Sequence, residues 1–272
     1  MIVKWPPGTG LAGHEEIMDR MDRIDREAVK KTFAAYTEQY NAADPKIRLK
    51  IDHTYRVAGL CDRISRTVPG TDSDLAWLTG MLHDVGRFEQ VRRYQTISDT
   101  DSVDHAAFGA DMLFQENLLD RFGTFDEKCR EILEISIRNH NRFRIEEGLS
   151  DEYTAYCRIL RDADKIDIFR VNTETPLEEI YNVTTKELRE SPVSDAVKQG
   201  FREGCALLRS VRQTPADILV SHICLVYELE YPLSLQIVRE QGYLDKLLDF
   251  RSDNRETNEW FEEMKAVLSS DK

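Results

Sequence analysis

Apolar residues recur along this chain at intervals of three, four and seven, the period of amphipathic helices, and few stretches alternate as strands do. Positions Ile17, Met21, Ile24, Ala28 and Ala35 predict a first helix over Ile17–Tyr40. Pro45 opens a second, with a stripe of Ile47, Ile51, Val57, Leu60, Cys61 and Ile64 that Pro69-Gly70 ends. Thr71 is the expected N-cap of a third helix, Asp72–Asp84, facing the core through Leu75, Leu78 and Leu82. Residues 86–101 show no clear period and are expected to form a polar loop, after which Ser102 caps a further helix with Asp104 in its first turn. Downstream helices are predicted over 127–139, 151–170, 177–190, 195–212, 215–228, 232–241 and 255–268, the one at 177 opened by Thr175-Pro176-Leu177-Glu178. The fold class is therefore all-α. An N-terminal helical segment (1–44) is expected to pack on a core (45–172), followed by a C-terminal helical extension (173–272), the three forming one compact unit.

Composition narrows what such a bundle does. With 272 residues, 41% hydrophobic and 32% charged, the chain can bury a sizeable core. A net charge of -13 repels nucleic-acid backbones, so no nucleic-acid polymer is expected as a partner. No apolar run reaches the roughly 18 residues of a membrane span, and the N-terminus lacks an apolar leader core, so the expected location is cytoplasmic, with no membrane partner. Five widely spaced cysteines without a CxxC pair read as reduced core residues rather than as disulfides or a thiolate metal site.

The chemistry lies in the histidines. Of six, four fall in an ordered series with two aspartates: His53, the adjacent pair His83-Asp84, His105, His140 and Asp164. His14 and His222 stand outside it and read as surface and core residues. Imidazole nitrogen and carboxylate oxygen are the ligand types that hold Zn, Mn, Fe, Co or Ni. Intervals of 30, 21, 35 and 24 residues each span about one helix and a connection, so each helix brings one contribution to a common centre. Six ligands exceed the three of a simple catalytic zinc site. Two ions sharing Asp84 as a bridge would use all six, and such a pair suits hydrolysis of phosphoesters or phosphoanhydrides. Asp104 and Asp162 are candidates to orient a water beside the ligands.

The order His53, His83-Asp84, His105, His140, Asp164, running roughly over residues 46–169, resembles the six-ligand form of the HD-domain metal-dependent phosphohydrolase superfamily. Gly86-Arg87-Phe88-Glu89-Gln90, Ser102-Val103-Asp104-His105 and Arg161-Asp162-Ala163-Asp164-Lys165 look like a bacterial branch of it. The resemblance implies an HD-domain helical bundle in which His53, His83, Asp84 and Asp164 bind a first ion and Asp84, His105 and His140 serve a second. Asp164 is preferred to Asp162 because its Ala-Asp-Lys step is similar to that family's usual ending. His140 is followed by Asn-Arg-Phe-Arg, which disfavours the cyclic-dinucleotide phosphodiesterase branch. Phe88-Glu89-Gln90 replaces the Glu-Asp pair of stringent-response hydrolases.

The expected activity is thus hydrolysis of a small anionic phosphorylated metabolite, a nucleotide foremost, with two divalent ions (Fe, Mn, Co, Ni, Zn or Mg). Two alternatives accompany it: an HD-type di-iron oxygenase, and a nucleotide sensor without turnover. Asp84, Arg87 and Lys165 are the expected catalytic residues. Arg87, Arg92, Arg93, Tyr94 and Lys165 are the expected substrate contacts, since guanidinium forks match phosphate oxygens and a tyrosine ring can stack on a base. Arg138, Arg142 and Arg144 lie near the ligands too. The C-terminal apolar residues are expected to cover the core, with a homodimer surface as the other use.

Overall fold

The structure, a computed structural model, describes residues 24–176, 178 and 183–270, and every regular element among them is helical. Helix α1 (Arg26–Thr37) starts where the Asp25 carboxylate accepts the Glu27 and Ala28 amides. It buries Val29, Phe33 and Tyr36 rather than the expected Ala28 and Ala35, which face solvent. The expected first turns of this helix, and His14, lie outside the described residues. Helix α2 (Pro45–Ser65) has Asp44 as N-cap and Pro45 in its first turn, where the missing amide costs nothing. Its buried face carries His53 between Ile47 and Val57.

Helix α3 (Ser73–Leu82) is buried from Leu75 to its end, as a helix apolar on all sides must be. It lies directly against α2: a Cβ on Gly80 would come within 2.7 Å of the Ala58 Cα. Its N-cap is Asp72, not Thr71, and it ends at Leu82, with His83 as C-cap. Asp84 is the N-cap residue of helix α4 (Val85–Tyr94), so His83-Asp84 is the corner between two helices.

Helix α4 replaces the polar loop expected over the first half of residues 86–101. Val85, Phe88 and Val91 face inward, and Phe88 sits among the rings of Phe33, Tyr36 and Tyr40 at centroid distances of 5.8, 5.8 and 5.6 Å. The Tyr36 hydroxyl donates to the Val85 carbonyl at 2.9 Å, pinning the corner from α1. Helix α5 (His105–Phe114) is capped by Asp104, whose carboxylate accepts the Ala106 and Ala107 amides, not by Ser102. Helix α6 (Glu127–Asn139) ends at His140, and helix α7 (Asp151–Glu174) runs four residues past its expected end.

Beyond α7, α8 (Thr185–Glu190) lies within the expected helix over 177–190 and begins at a Thr184/Glu187 capping box. Helix α9 (Asp195–Arg202) ends well before the expected Arg212, because Gly204 takes a positive φ of 66°. Helices α10 (Pro215–Ile223) and α11 (Pro232–Gln241) lie at the expected starts. Helix α12 (Tyr243–Leu248), which the sequence pattern did not announce, precedes α13 (Arg255–Ser270). Helix α7 is the shared wall: it packs on α2, α3 and α6 on one side and on α10, α11 and α12 on the other. One apolar cluster runs from Ile24 to Met264 through both regions. Cys61, Cys129, Cys157 and Cys224 are buried thiols as expected, whereas Cys205 is exposed. No described helix is long and apolar enough to cross a membrane.

Candidate metal centre

Six helices converge on one buried point. Helix α2 brings His53, the α3–α4 corner brings His83 and Asp84, α5 brings His105 as its first residue, α6 brings His140 at its C-cap, and α7 brings Asp164. Asp84 divides the set. Its Oδ2 lies 3.6 Å from His53 Nε2 and 3.5 Å from His83 Nε2, while its Oδ1 lies 3.4 Å from His105 Nε2 and 3.9 Å from His140 Nε2. Asp164 Oδ1 joins the first pair, 3.1 Å from His53 Nε2. The two triads, His53-His83-Asp84 and Asp84-His105-His140, each bring their ligand atoms within 4.8 Å of one another.

The outer nitrogen of every imidazole is engaged, which fixes its orientation. Nδ1 of His83 donates to the Gly80 carbonyl and Nδ1 of His140 to the Ile137 carbonyl, both at 2.7 Å. His53 Nδ1 meets the Asp167 carboxylate at 2.6 Å, and His105 Nδ1 meets Asp99 at 2.8 Å. With the proton on Nδ1, Nε2 turns its lone pair inward. The Nε2 atoms then face each other in pairs, His53 with His83 at 3.3 Å and His105 with His140 at 2.9 Å. Lone pairs so close repel unless a proton or a cation sits against them. The donor set of four imidazoles and two carboxylates fits borderline divalent ions such as Fe, Mn, Co, Ni and Zn.

The electrostatics favour the same occupants. Burial, with the neighbouring His105 and His83, lowers the His140 pKa to about 3, and burial with Arg87 lowers that of His105, so both stay neutral and able to ligate at neutral pH. Burial alone would raise the Asp84 pKa. Lys50, His83 and His105 outweigh it, and the carboxylate remains charged well below its ordinary range. For His53, burial and Lys50 act to lower the pKa, but the hydrogen bonds to Asp164 and Asp167 carry it upward. Protons therefore compete with a cation for this imidazole, which makes the affinity pH-dependent.

Asp167 is held in turn by Arg56, whose Nε and Nη2 donate to its two oxygens at 2.6 and 2.9 Å. This carboxylate-histidine arrangement raises the basicity of the ligand and locks its ring. Asp167→Ala is expected to weaken the ion held by His53 by roughly 10- to 100-fold while leaving the His105–His140 pair unaffected. A competitive chelator titration resolving two dissociation constants would check this; two unchanged constants would remove Asp167 from the account.

The other expected site residues are engaged elsewhere. Arg87 lies 3.7 Å from Asp84, but its Nη1 donates to Asp99 at 2.6 Å, to Gln90 at 2.9 Å and to the Ile97 carbonyl at 2.5 Å. It braces the carboxylate that orients His105. Arg92 and Arg93 pair with Glu89 and stack over Tyr40 and Phe108, and Tyr94, 44% exposed, ends α4. Lys165 turns to Glu228 at 2.9 Å. Asp162 accepts the Glu230 and Tyr231 amides at 3.1 Å, tying α7 to the C-terminal helices, and Asp104 is occupied as a helix cap. Arg138 bonds Glu134 and Asp111, Arg142 bonds Glu146, and Arg144 stacks on Phe143.

Four functional neighbours escaped the sequence reading: Lys50, Arg56, Asp99 and Asp167. Lys50 Nζ lies 2.8 Å from Asp84 Oδ2. Three of the four carried a signal, since Lys50 precedes His53 by three, Arg56 follows His53 by three and Asp167 follows Asp164 by three, one turn along the same face.

Residues 51–168 match the HD domain family, a span that contains all six residues of the series. No curated protein matches the chain. A solved structure of a predicted HD superfamily hydrolase from an uncultured Thermotogales bacterium is 20% identical, over 86% of this chain and 98% of that one, with a TM-score of 0.39.

Proposed function

Because the chain belongs to the HD-domain superfamily through residues 51–168, we propose that it is a metal-dependent phosphohydrolase that cleaves a phosphoester or phosphoanhydride of a small molecule, a nucleotide being the first class to test. The observation that carries this reading is the division of Asp84, whose two oxygens face two separate histidine pairs. A carboxylate in that position can be shared by two cations without either pair moving. His53, His83, Asp84 and Asp164 would hold one ion, and Asp84, His105 and His140 the other. Divalent ions there would supply Lewis acidity and bring the pKa of a water toward neutrality.

The chain's own residues do the rest. His105 and His140, kept neutral by burial, leave their inner nitrogens free of competing protons. Arg87 and Asp99 hold His105 in orientation, and Arg56 and Asp167 do the same for His53. The low surface exposure of these groups keeps bulk water from screening the charges that a phosphoryl group meets.

Protein stripped of metal and reconstituted in turn with Mn, Fe, Co, Ni, Zn and Mg, then offered phosphorylated metabolites, is expected to release phosphate with at least one ion and to stop when a chelator is added. Release that ignores chelation would overturn the proposal. Oxygen consumption by the iron form, with no phosphate release by any form, would replace it with the di-iron oxygenase reading. Tight nucleotide binding without turnover under every metal would favour a sensor.

A further inference from the structure

The metal centre is sealed unevenly. The side chains of Asp84, His53 and His140 each keep 2% of their surface and that of His105 keeps 4%, but Asp164 keeps 18% and Lys50 keeps 15%. Both of the more open groups border the same half: Asp164 Oδ1 is 3.1 Å from His53 Nε2, and Lys50 Nζ is 2.8 Å from Asp84 Oδ2. A molecule from solvent therefore reaches the ligands along the edge marked by Lys50 and Asp164.

The cations around the centre differ in how much of their bonding capacity is used. Arg87 bonds Asp99, Gln90 and the Ile97 carbonyl. Arg161 is spent on the carbonyls of Asn139, His140, Arg142 and Phe143, closing the end of α6. Lys165 also meets a single acceptor, Glu228, but its side chain keeps 8% of its surface against 15% for Lys50. The ammonium of Lys50 touches one acceptor, Asp84 Oδ2, and an ammonium has three donors. Two remain, on a group fixed one helical turn before a metal ligand and facing the open edge.

We propose that Lys50 binds the anionic phosphoryl group of the substrate, offering its remaining N–H donors to a phosphate oxygen while Asp84 fixes its position. The proposal rests on the phosphohydrolase reading above and names the residue of that site that meets the phosphate. A compact ammonium with rotating donors suits a phosphate oxygen as a point charge, without the planar match a guanidinium requires. Its positive charge also draws a phosphorylated anion toward this more open edge of a protein whose net charge is -13.

The test uses inorganic phosphate, the expected product, as the probe. Manganese-loaded wild type, Lys50→Met and Lys50→Arg are titrated with phosphate by calorimetry, and manganese per chain is measured on the same samples. Lys50→Met is expected to keep the wild-type manganese content and to bind phosphate roughly 10- to 100-fold more weakly, the loss typical of a charge-assisted hydrogen bond. Lys50→Arg is expected to recover most of that loss. Phosphate binding by Lys50→Met equal to wild type overturns the assignment. So does loss of manganese in Lys50→Met that Lys50→Arg restores, because Lys50 would then serve the ligand cluster alone. Wild type that holds no divalent ion sinks the phosphohydrolase reading along with it, whereas metal-dependent turnover left unimpaired in Lys50→Met sinks only the role of Lys50.

Discussion

Asp84→Ala is expected to empty both halves of the metal centre at once and to lower phosphatase activity by at least about three orders of magnitude, about 4 kcal/mol of transition-state stabilisation. The size of the effect follows from position. Among the described residues, Asp84 lies within 4 Å of all four Nε2 atoms, at 3.6, 3.5, 3.4 and 3.9 Å. A variant in one half should behave differently: His105→Ala leaves His53, His83, Asp84 and Asp164 together, so one ion is expected to remain. Removing Asp84 takes an anion from both sites and leaves the Lys50 ammonium without its carboxylate partner. Asp84→Asn keeps the shape and loses the charge, and is expected to fall with Asp84→Ala rather than with wild type. Elemental analysis after gel filtration, with circular dichroism to verify helix content, reads the result. A folded Asp84→Ala protein that retains two ions and turns over would end the binuclear reading.

The histidine–aspartate series was legible in the sequence because its members, the His83-Asp84 pair counted as one, sit on or at the end of different helices, and spacings of one helix plus a connection survive any detail of packing. What surrounds the ligands was not. Helix α4 went unseen because its inward positions, Val85, Phe88 and Val91, alternate with Glu89 and Gln90, which are polar yet buried. Glu89 is neutralised by Arg92 and Arg93, and Gln90 donates to Asp99, Ser102 and the Val103 carbonyl. The partners of Gln90 come from another segment, and so does the aromatic pocket of Phe33, Tyr36 and Tyr40 that receives Phe88. Local periodicity cannot report them.

The same holds for the arginines. In a chain with 50 acidic and 37 basic residues, a cation close in sequence to a ligand finds a carboxylate nearby more readily than it stays available for substrate. Arg92, Arg93, Arg138 and Arg142 each did. Asp167 and Lys50 were legible in spacing but not in direction, because the packing of α2 on α7 decides which neighbour of a ligand turns inward. Where two capping residues lay close together, the aspartate was the cap in each case: Asp72 over Thr71 and Asp104 over Ser102.

Gly86→Ala is expected to cost about 3 kcal/mol of stability and to lower the melting temperature by roughly 6–12 °C. In an open helix the same change stabilises by up to about 1 kcal/mol, since alanine loses less backbone freedom on folding. Here the added Cβ would lie 2.5 Å from the His105 carbonyl oxygen, 2.7 Å from the Gly109 nitrogen and 2.9 Å from the Gly109 Cα. All three are backbone atoms of α5, so no side chain can rotate away and the helices must separate. Gly86 follows Asp84 by two residues, and the atom it strikes belongs to His105. Separation of α4 from α5 therefore lengthens the 3.4 Å approach of Asp84 to His105 and is expected to weaken the ion held by His105 and His140 more than the other. Gly59 supplies the control: it lies within α2 with nothing within 4 Å of an added Cβ, so Gly59→Ala should raise the melting temperature slightly. Thermal denaturation of both variants, with and without metal, separates the local collision from a general effect of alanine. A Gly86→Ala protein as stable as wild type and still holding two ions would show that α4 and α5 do not need their close approach to assemble the site.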